Sequence, residues 1–177
     1  MTPVETWQPN APLDAQPLDA HLVDVELDRA LAEGDALSAV RWNEHRLARR
    51  PERTPGAHVP LTDVLGTLED HAVLVFLSHR GRLAAVSISG GRSRVHDFGE
   101  ARTAARYVRS LSLGTPPHAV AWLDRLLWPA GDRPVVVVPS PELERMPWAA
   151  LPSARGRAVS VAPSVRCRHR ADSRPLA

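Results

Sequence analysis

"RPVVVVPSPELERMPWAALPSARGRAVSVAPS", residues Arg133 to Ser164, decides how this chain is read. Its four consecutive valines, Val135 to Val138, are too short a run and too β-branched for a helix. A continuous apolar run of that kind suits a strand covered on both faces, as in a parallel sheet between helices. A proline-studded crossing follows, and Ala158 to Val161 reads as the next strand, closing on Pro163-Ser164.

Working upstream, two helices feed the valine strand. Glu100 to Leu113 places Ala101, Ala105, Val108 and Leu111 along one face. Pro116-Pro117 opens the second helix, since proline fits a first turn, and Val120, Leu123, Leu126 and Leu127 line its inner side up to Trp128-Pro129. Before them, "HAVLVFLSHRGRLAAVSISGGRSRVHDFG" is broken at Arg80-Gly81 and Gly90-Gly91, positions suited to the positive φ of tight hairpin turns. It predicts an antiparallel meander with strands at 72–78, 83–89 and 93–98. Leu61, Val64, Leu65 and Leu68 predict a short helix over 61–70. The fold class is α/β.

The first sixty residues differ in character. Residues 1–18 carry Pro3, Pro9, Pro12 and Pro17 and predict a disordered or extended arm. From Asp19, which can cap a helix, Leu22, Val25, Ala30 and Leu31 fit one helical face. Gly34-Asp35 ends that helix and starts another with a looser stripe of Leu37, Val40, Trp42 and Leu47. Residues 19–50 are therefore a helical hairpin, and residues 51–60 a linker with three prolines.

The chain has 177 residues, 44% of them hydrophobic and 24% charged, which fits one ordinary domain with an appendage. All 22 basic residues are arginine. Without lysine there is no Schiff-base residue, no pyridoxal-phosphate anchor and no P-loop lysine. The net charge of +2 conceals an asymmetry: residues 1–153 carry 16 arginines against 19 acids, and residues 154–177 carry six arginines against Asp172 alone. No arginine face with interleaved aromatic residues is visible, so nucleic acid is not the expected partner. Cys167 is the single cysteine, which excludes an internal disulfide and suits a reducing cytoplasm. The N-terminus lacks the basic start and apolar core of a signal peptide, and no apolar run reaches the length of a membrane span.

Site by site, the chemistry is thin. "SISGGRSR" has two glycines but belongs to a hairpin and lacks the Walker lysine. His79 and His96 fall at strand ends, where surface histidines are common. Glu142 and Glu144 could pair as acid and base, yet loop charges are the plainer reading. Ser140 and Ser164 lack the Gly-x-Ser-x-Gly elbow that exposes a nucleophile. Cys167 and His169 lie in an arginine-rich tail with nothing to fix their geometry, and they are too few for zinc. No catalytic, cofactor-binding or metal-binding residue is assigned, and no cofactor is expected.

The strand "PVVVVP", then Leu143, Met146-Pro147-Trp148 and Leu151-Pro152, then a strand closing on Pro163-Ser164, resembles the front half of the CHAT domain. That caspase-like family is named for its association with tetratricopeptide repeats. "AVLVFLSHRGRLAAVSISGGRSRVHDFG" is similar to its N-terminal meander, and "LDRLLWP" to the helix before its valine strand. The hairpin at 19–50 resembles the last repeat of a tetratricopeptide array. The resemblance covers residues 19–164 and implies a caspase-like α/β fold. In peptidase members it also implies a catalytic histidine and cysteine well downstream of Pro163-Ser164, where this chain reads "VRCRHRADSRPLA". The expectation is a CHAT-like fragment, cut by truncation or frameshift near residue 165, without peptidase activity. Its basic tail, 165–177, is expected to be disordered and dispensable. The alternative is a protein-binding module, or half of a split CHAT protein, with a partner on the helical hairpin or on an exposed sheet edge. The valine strand wants neighbours on both sides and few are expected here, so the domain over 61–164 is expected to be marginally stable.

Overall fold

A computed structural model describes residues 19–48, 61–68, 70–111 and 117–165. The expected arm at 1–18, the linker at 51–60 and the tail beyond Val165 lie outside the described residues. Helix α1 spans Ala20–Glu33 and α2 spans Ala36–Ala48. Asp19 caps α1, its Oδ1 accepting from the His21 N–H at 2.9 Å. Gly34 closes the helix at φ +71°, its N–H donating to the carbonyls of Ala30 and Leu31. Asp35 then caps α2 through the Ser38 N–H at 3.1 Å. One short Gly-Asp step thus stops one helix and starts the next.

The inner stripe of this hairpin holds in part. Ala30, Val40, Trp42 and Leu47 are buried and Leu31 half-buried as expected, whereas Leu22, Val25 and Leu37 are exposed and Val23, Leu27 and Ala39 take inner positions. Helix α3 is shorter than expected, Leu61–Gly66. Leu65 is half-buried and Leu68 fully buried in the turn after it; the side chains of Leu61 and Val64 lie outside the described set.

The meander forms as expected, with β1 at Ala72–His79, β2 at Arg82–Ser89 and β3 at Arg92–Glu100. Arg80 and Gly81 (φ +46° and +76°) make the first turn, and Gly90 and Gly91 (φ +57° and +72°) the second. Two successive positive φ angles define the turn whose twist matches paired strands. Helix α4 covers Ala101–Ser110 and α5 covers Pro117–Asp124, followed by a tighter 3-10 run, Arg125–Ala130. Their inner faces are Ala101, Ala104 and Val108, then Ala119, Leu123, Leu126 and Leu127; Ala105 and Val120 are only half-buried.

Strand β4, Val135–Val138, runs parallel to β1 on one side and to β5, Val159–Val161, on the other. The valine strand therefore has both neighbours within this chain, which corrects the expectation that it would lack them. The sheet order is β3-β2-β1-β4-β5, antiparallel at the meander and parallel at the other half.

Both faces are covered, as a mixed sheet with consecutive valines requires. Alternation sends Leu74, Phe76, Leu83, Val135 and Val137 toward α4, α5 and the crossing. Val73, Val75, Leu77, Val86, Val136 and Val138 face the α1–α2 hairpin. The layers are hairpin, sheet, and a second helical layer. The central strands β1 and β4 are buried on both faces along their paired length, so the layer whose absence motivated the expectation of marginal stability is present over them.

Candidate functional site

The crossing from Pro139 to Ala158 turns by short 3-10 segments at Pro141–Leu143, Trp148–Ala150 and Pro152–Ala154. Leu143, Met146, Trp148, Leu151 and Ala154 are all buried in the core shared with α4 and α5. Trp148 stacks on Phe76 with ring centroids 5.3 Å apart. Asp124 at the end of α5 accepts from the Ser153 N–H at 2.7 Å and the Ser153 hydroxyl at 2.6 Å. The spacing of apolar residues between prolines thus builds a packed strap, with its aromatic residue in the core.

His79 ends β1 and turns toward the hairpin. Its Nε2 lies 2.7 Å from Asp28 Oδ1, and its Nδ1 lies 4.0 Å from Asp24 Oδ1. Asp28 also pairs with Arg80. Through the Nε2 contact with Asp28, His79 ties α1 to the end of β1.

His96 has a partner that sequence reasoning missed. Ser87 Oγ lies 2.8 Å from His96 Nε2 across β2 and β3. Burial, with the Arg94 guanidinium as a second cause, holds this imidazole below its ordinary value. The lowered value favours the neutral imidazole, and the tautomer sets which of Nε2 and the hydroxyl donates in the bond between them. The distance suits a nucleophile and base. However, Ser87 is buried in mid-strand, and β2 is paired on both sides, so its backbone N–H groups serve the ladder rather than an oxyanion. No sequence signal could have found this pair, because it depends on the β2–β3 register.

The remaining candidates separate in space. Ser164 is buried beyond the end of β5, Glu144 is exposed, and Cys167 and His169 lie outside the described residues. Ser140 and Glu142 come together in a crevice of about 230 Å³ at the carboxyl ends of β1 and β4. Among the described residues, no group of three or more His, Cys, Asp or Glu is arranged to hold a metal ion. Nor is any described helix long and apolar enough to cross a membrane.

The two edges of the sheet differ. The outer strand β3 carries Arg92, Arg94 and Asp97, charges that blunt an edge against pairing. Strand β5 reads Val-Ser-Val, with Val161 54% exposed and no charge. Ala158 C=O accepts from Val135 N–H, and Ala162 N–H donates to Val137 C=O, both at 2.9 Å. Strand alternation therefore turns the N–H and C=O groups of Val159 and Val161 to the outer edge. Nothing pairs with them among the described residues.

Compared with family models, curated proteins and solved structures, the chain matches none.

Proposed function

We propose that this chain is a CHAT-like domain without peptidase chemistry, acting as a protein-binding module that takes up a strand on the outer edge of β5. The order of meander, helix pair, valine strand, proline-bounded crossing and closing strand supports the family reading. The uncharged, half-exposed β5 edge carries the binding reading, because an edge with open N–H and C=O groups templates strand addition. The occupant is an extended polypeptide segment of a partner protein, held by main-chain hydrogen bonds to Val159 and Val161. A reducing cytoplasm is the compartment this reading favours, Cys167 being the single cysteine. The Ser87–His96 pair supports no catalysis in this reading, since the hydroxyl is buried and lacks oxyanion donors.

Val161→Pro tests the edge. It removes an outward N–H while leaving the bonds to β4 in place. The complex recovered from the host with the wild-type chain is expected to slow amide exchange at Val159 and Val161, and the proline variant is expected to recover none. Equal recovery by the variant would sink the edge assignment. Turnover of a fluorogenic peptide library that disappears in Ser87→Ala would sink the non-catalytic half.

A further inference from the structure

In the order β3-β2-β1-β4-β5, the chain leaves β1 toward β2 on one side and returns through α4 and α5 to β4 on the other. The connections that leave β1 and β4 part, to β2 on one side and to β5 on the other. Such a switch point opens a crevice at the carboxyl ends of the two paired parallel strands, where open α/β sheets bind ligands. Here the crevice is walled by Phe76 and Ser78 of β1, Ser140 and Glu142 after β4, and Asn43 and Arg46 of α2. Its volume, about 230 Å³, falls below the roughly 300–1,000 Å³ of drug-sized pockets. A ligand must be small, or the end of a side chain.

The walls are unequally satisfied. On the β1 side, the Arg46 guanidinium donates to the Ser78 carbonyl at 2.7 Å and to Asn43 Oδ1 at 2.9 Å. On the β4 side, Ser140 is 2% exposed. Its Oγ and the buried Glu142 Oε2 have no hydrogen-bond partner within the described structure. Buried polar atoms are paired in native proteins, so two such oxygens at one crevice call for an occupant. The Ser140 hydroxyl can donate or accept, whereas the Glu142 carboxylate oxygen only accepts. A neutral donor could bond to both, but a group with several N–H donors and a positive charge also neutralises the carboxylate. Phe76 offers an apolar wall to the carbon beside that charge. The Arg46 guanidinium repels a cation from the β1 side, so the occupant sits against Ser140 and Glu142.

We infer that the switch-point crevice binds a primary ammonium group, which donates to Glu142 Oε2 and Ser140 Oγ. The group can arrive on a small amine or on a lysine side chain. Titration of the full chain with ethylammonium chloride, and separately with Nα-acetyl-lysine methylamide, is followed by ¹H–¹⁵N correlation spectra. Saturable shifts are expected at the amides of Asn43, Ser140 and Leu143. Tighter saturation by the first probe marks a free amine as the source, and by the second a lysine side chain. Glu142→Gln is expected to weaken binding by about tenfold or more, the size of one charge-assisted hydrogen bond. Ser140→Ala is expected to weaken it less and to raise the melting temperature of the free protein, because it deletes an unpartnered hydroxyl. Tetramethylammonium, which has no N–H, is expected to give no saturable shift. Shifts that stay linear to about 50 mM, a range that captures even millimolar binding, would overturn the site. Equal binding of tetramethylammonium, or unchanged affinity in Glu142→Gln, would also overturn it.

Discussion

The ring of Phe76 lies against that of Trp148, with centroids 5.3 Å apart and planes inclined by 29°. Phe76 belongs to β1 and Trp148 to the crossing between β4 and β5, so this stack pins the strap to the sheet. Both rings are almost fully buried. Trp148→Ala is expected to cost about 3–5 kcal/mol, as large-to-small core changes do. Trp148→Phe keeps the stack and removes a buried indole N–H that has no partner among the described residues. It is expected to cost well under half as much in urea unfolding. Equal losses in the two variants would show that the indole itself, and not a ring stacked on Phe76, sets the cost.

Short-range features were legible in the sequence. The Gly-bounded turns, the valine strand and the crossing each follow from local chemistry, and their positions hold to within two residues. The hairpin's inner face was legible only in part, at Ala30, Val40, Trp42 and Leu47. Its helices are apolar on two sides, so Leu22, Val25 and Leu37 fit a stripe as well as Val23, Leu27 and Ala39 do. Only the sheet beneath decides which stripe is covered. The Ser87–His96 pair and the Ser140–Glu142 crevice were hidden for a related reason. The first requires the β2–β3 register, and the second requires the position of α2 over the ends of β1 and β4.

Stability should fall on mild acidification, and His96 is one cause. Burial, then Arg94, lowers its folded value below the ordinary 6.5. Between the folded value and 6.5 the unfolded chain binds more protons, so stability rises with pH across that window. The contribution is complete above about 6.5 and is lost as pH falls toward the folded value. His96→Gln keeps a hydrogen-bonding group for Ser87 without the titration. The slope of unfolding free energy against pH just below 6.5 should be shallower in this variant than in the wild type. An identical slope would mean that His96 does not titrate differently on folding.

Carboxylates act in a lower window. A hydrogen bond from Gly99 N–H, reinforced by Arg82, holds Asp97 below its ordinary 3.8. Its stabilisation is present above about 4 and lost as pH falls through the folded value. Asp97→Asn should flatten the acid limb of the pH–stability curve and leave the histidine window unchanged. A change confined to the histidine window would contradict this assignment.

Val165, the first residue of the expected dispensable tail, belongs to the packed structure. Val165 is fully buried, and its N–H donates to Glu44 Oε1 at 3.2 Å. Residues 44 and 165 thereby tie α2 to the segment after β5. Val165→Ala should cost up to about 3 kcal/mol, the upper range for a buried valine. Glu44→Ala should cost about 1–3 kcal/mol by stranding a buried donor, with Glu44→Gln much milder. A silent Val165→Ala in chemical denaturation would return Val165 to the tail.

The hairpin and the sheet should unfold as one. Val23, Leu27, Ala39, Val40 and Trp42 share a single buried cluster with Val73, Val75, Leu77, Val136 and Val138. His79 and Arg46 reinforce the contact through Asp28 and the Ser78 carbonyl. A resemblance to a tetratricopeptide repeat would suggest a hairpin that stabilises itself through neighbouring repeats. This hairpin instead supplies one cover of the sheet, and a sheet with valines on both faces cannot leave one face in water. Leu27→Ala is therefore expected to cost about 2–5 kcal/mol and to lower the melting temperature of the strands as much as that of the helices. In native-state hydrogen exchange, the amides of Leu27 and Val40 should open with the same free energy as those of Val75 and Val137. Deleting residues 19–48 should expose the valine face and drive aggregation. Two separated melting transitions, or a soluble and folded deletion variant, would show that the sheet does not depend on the hairpin.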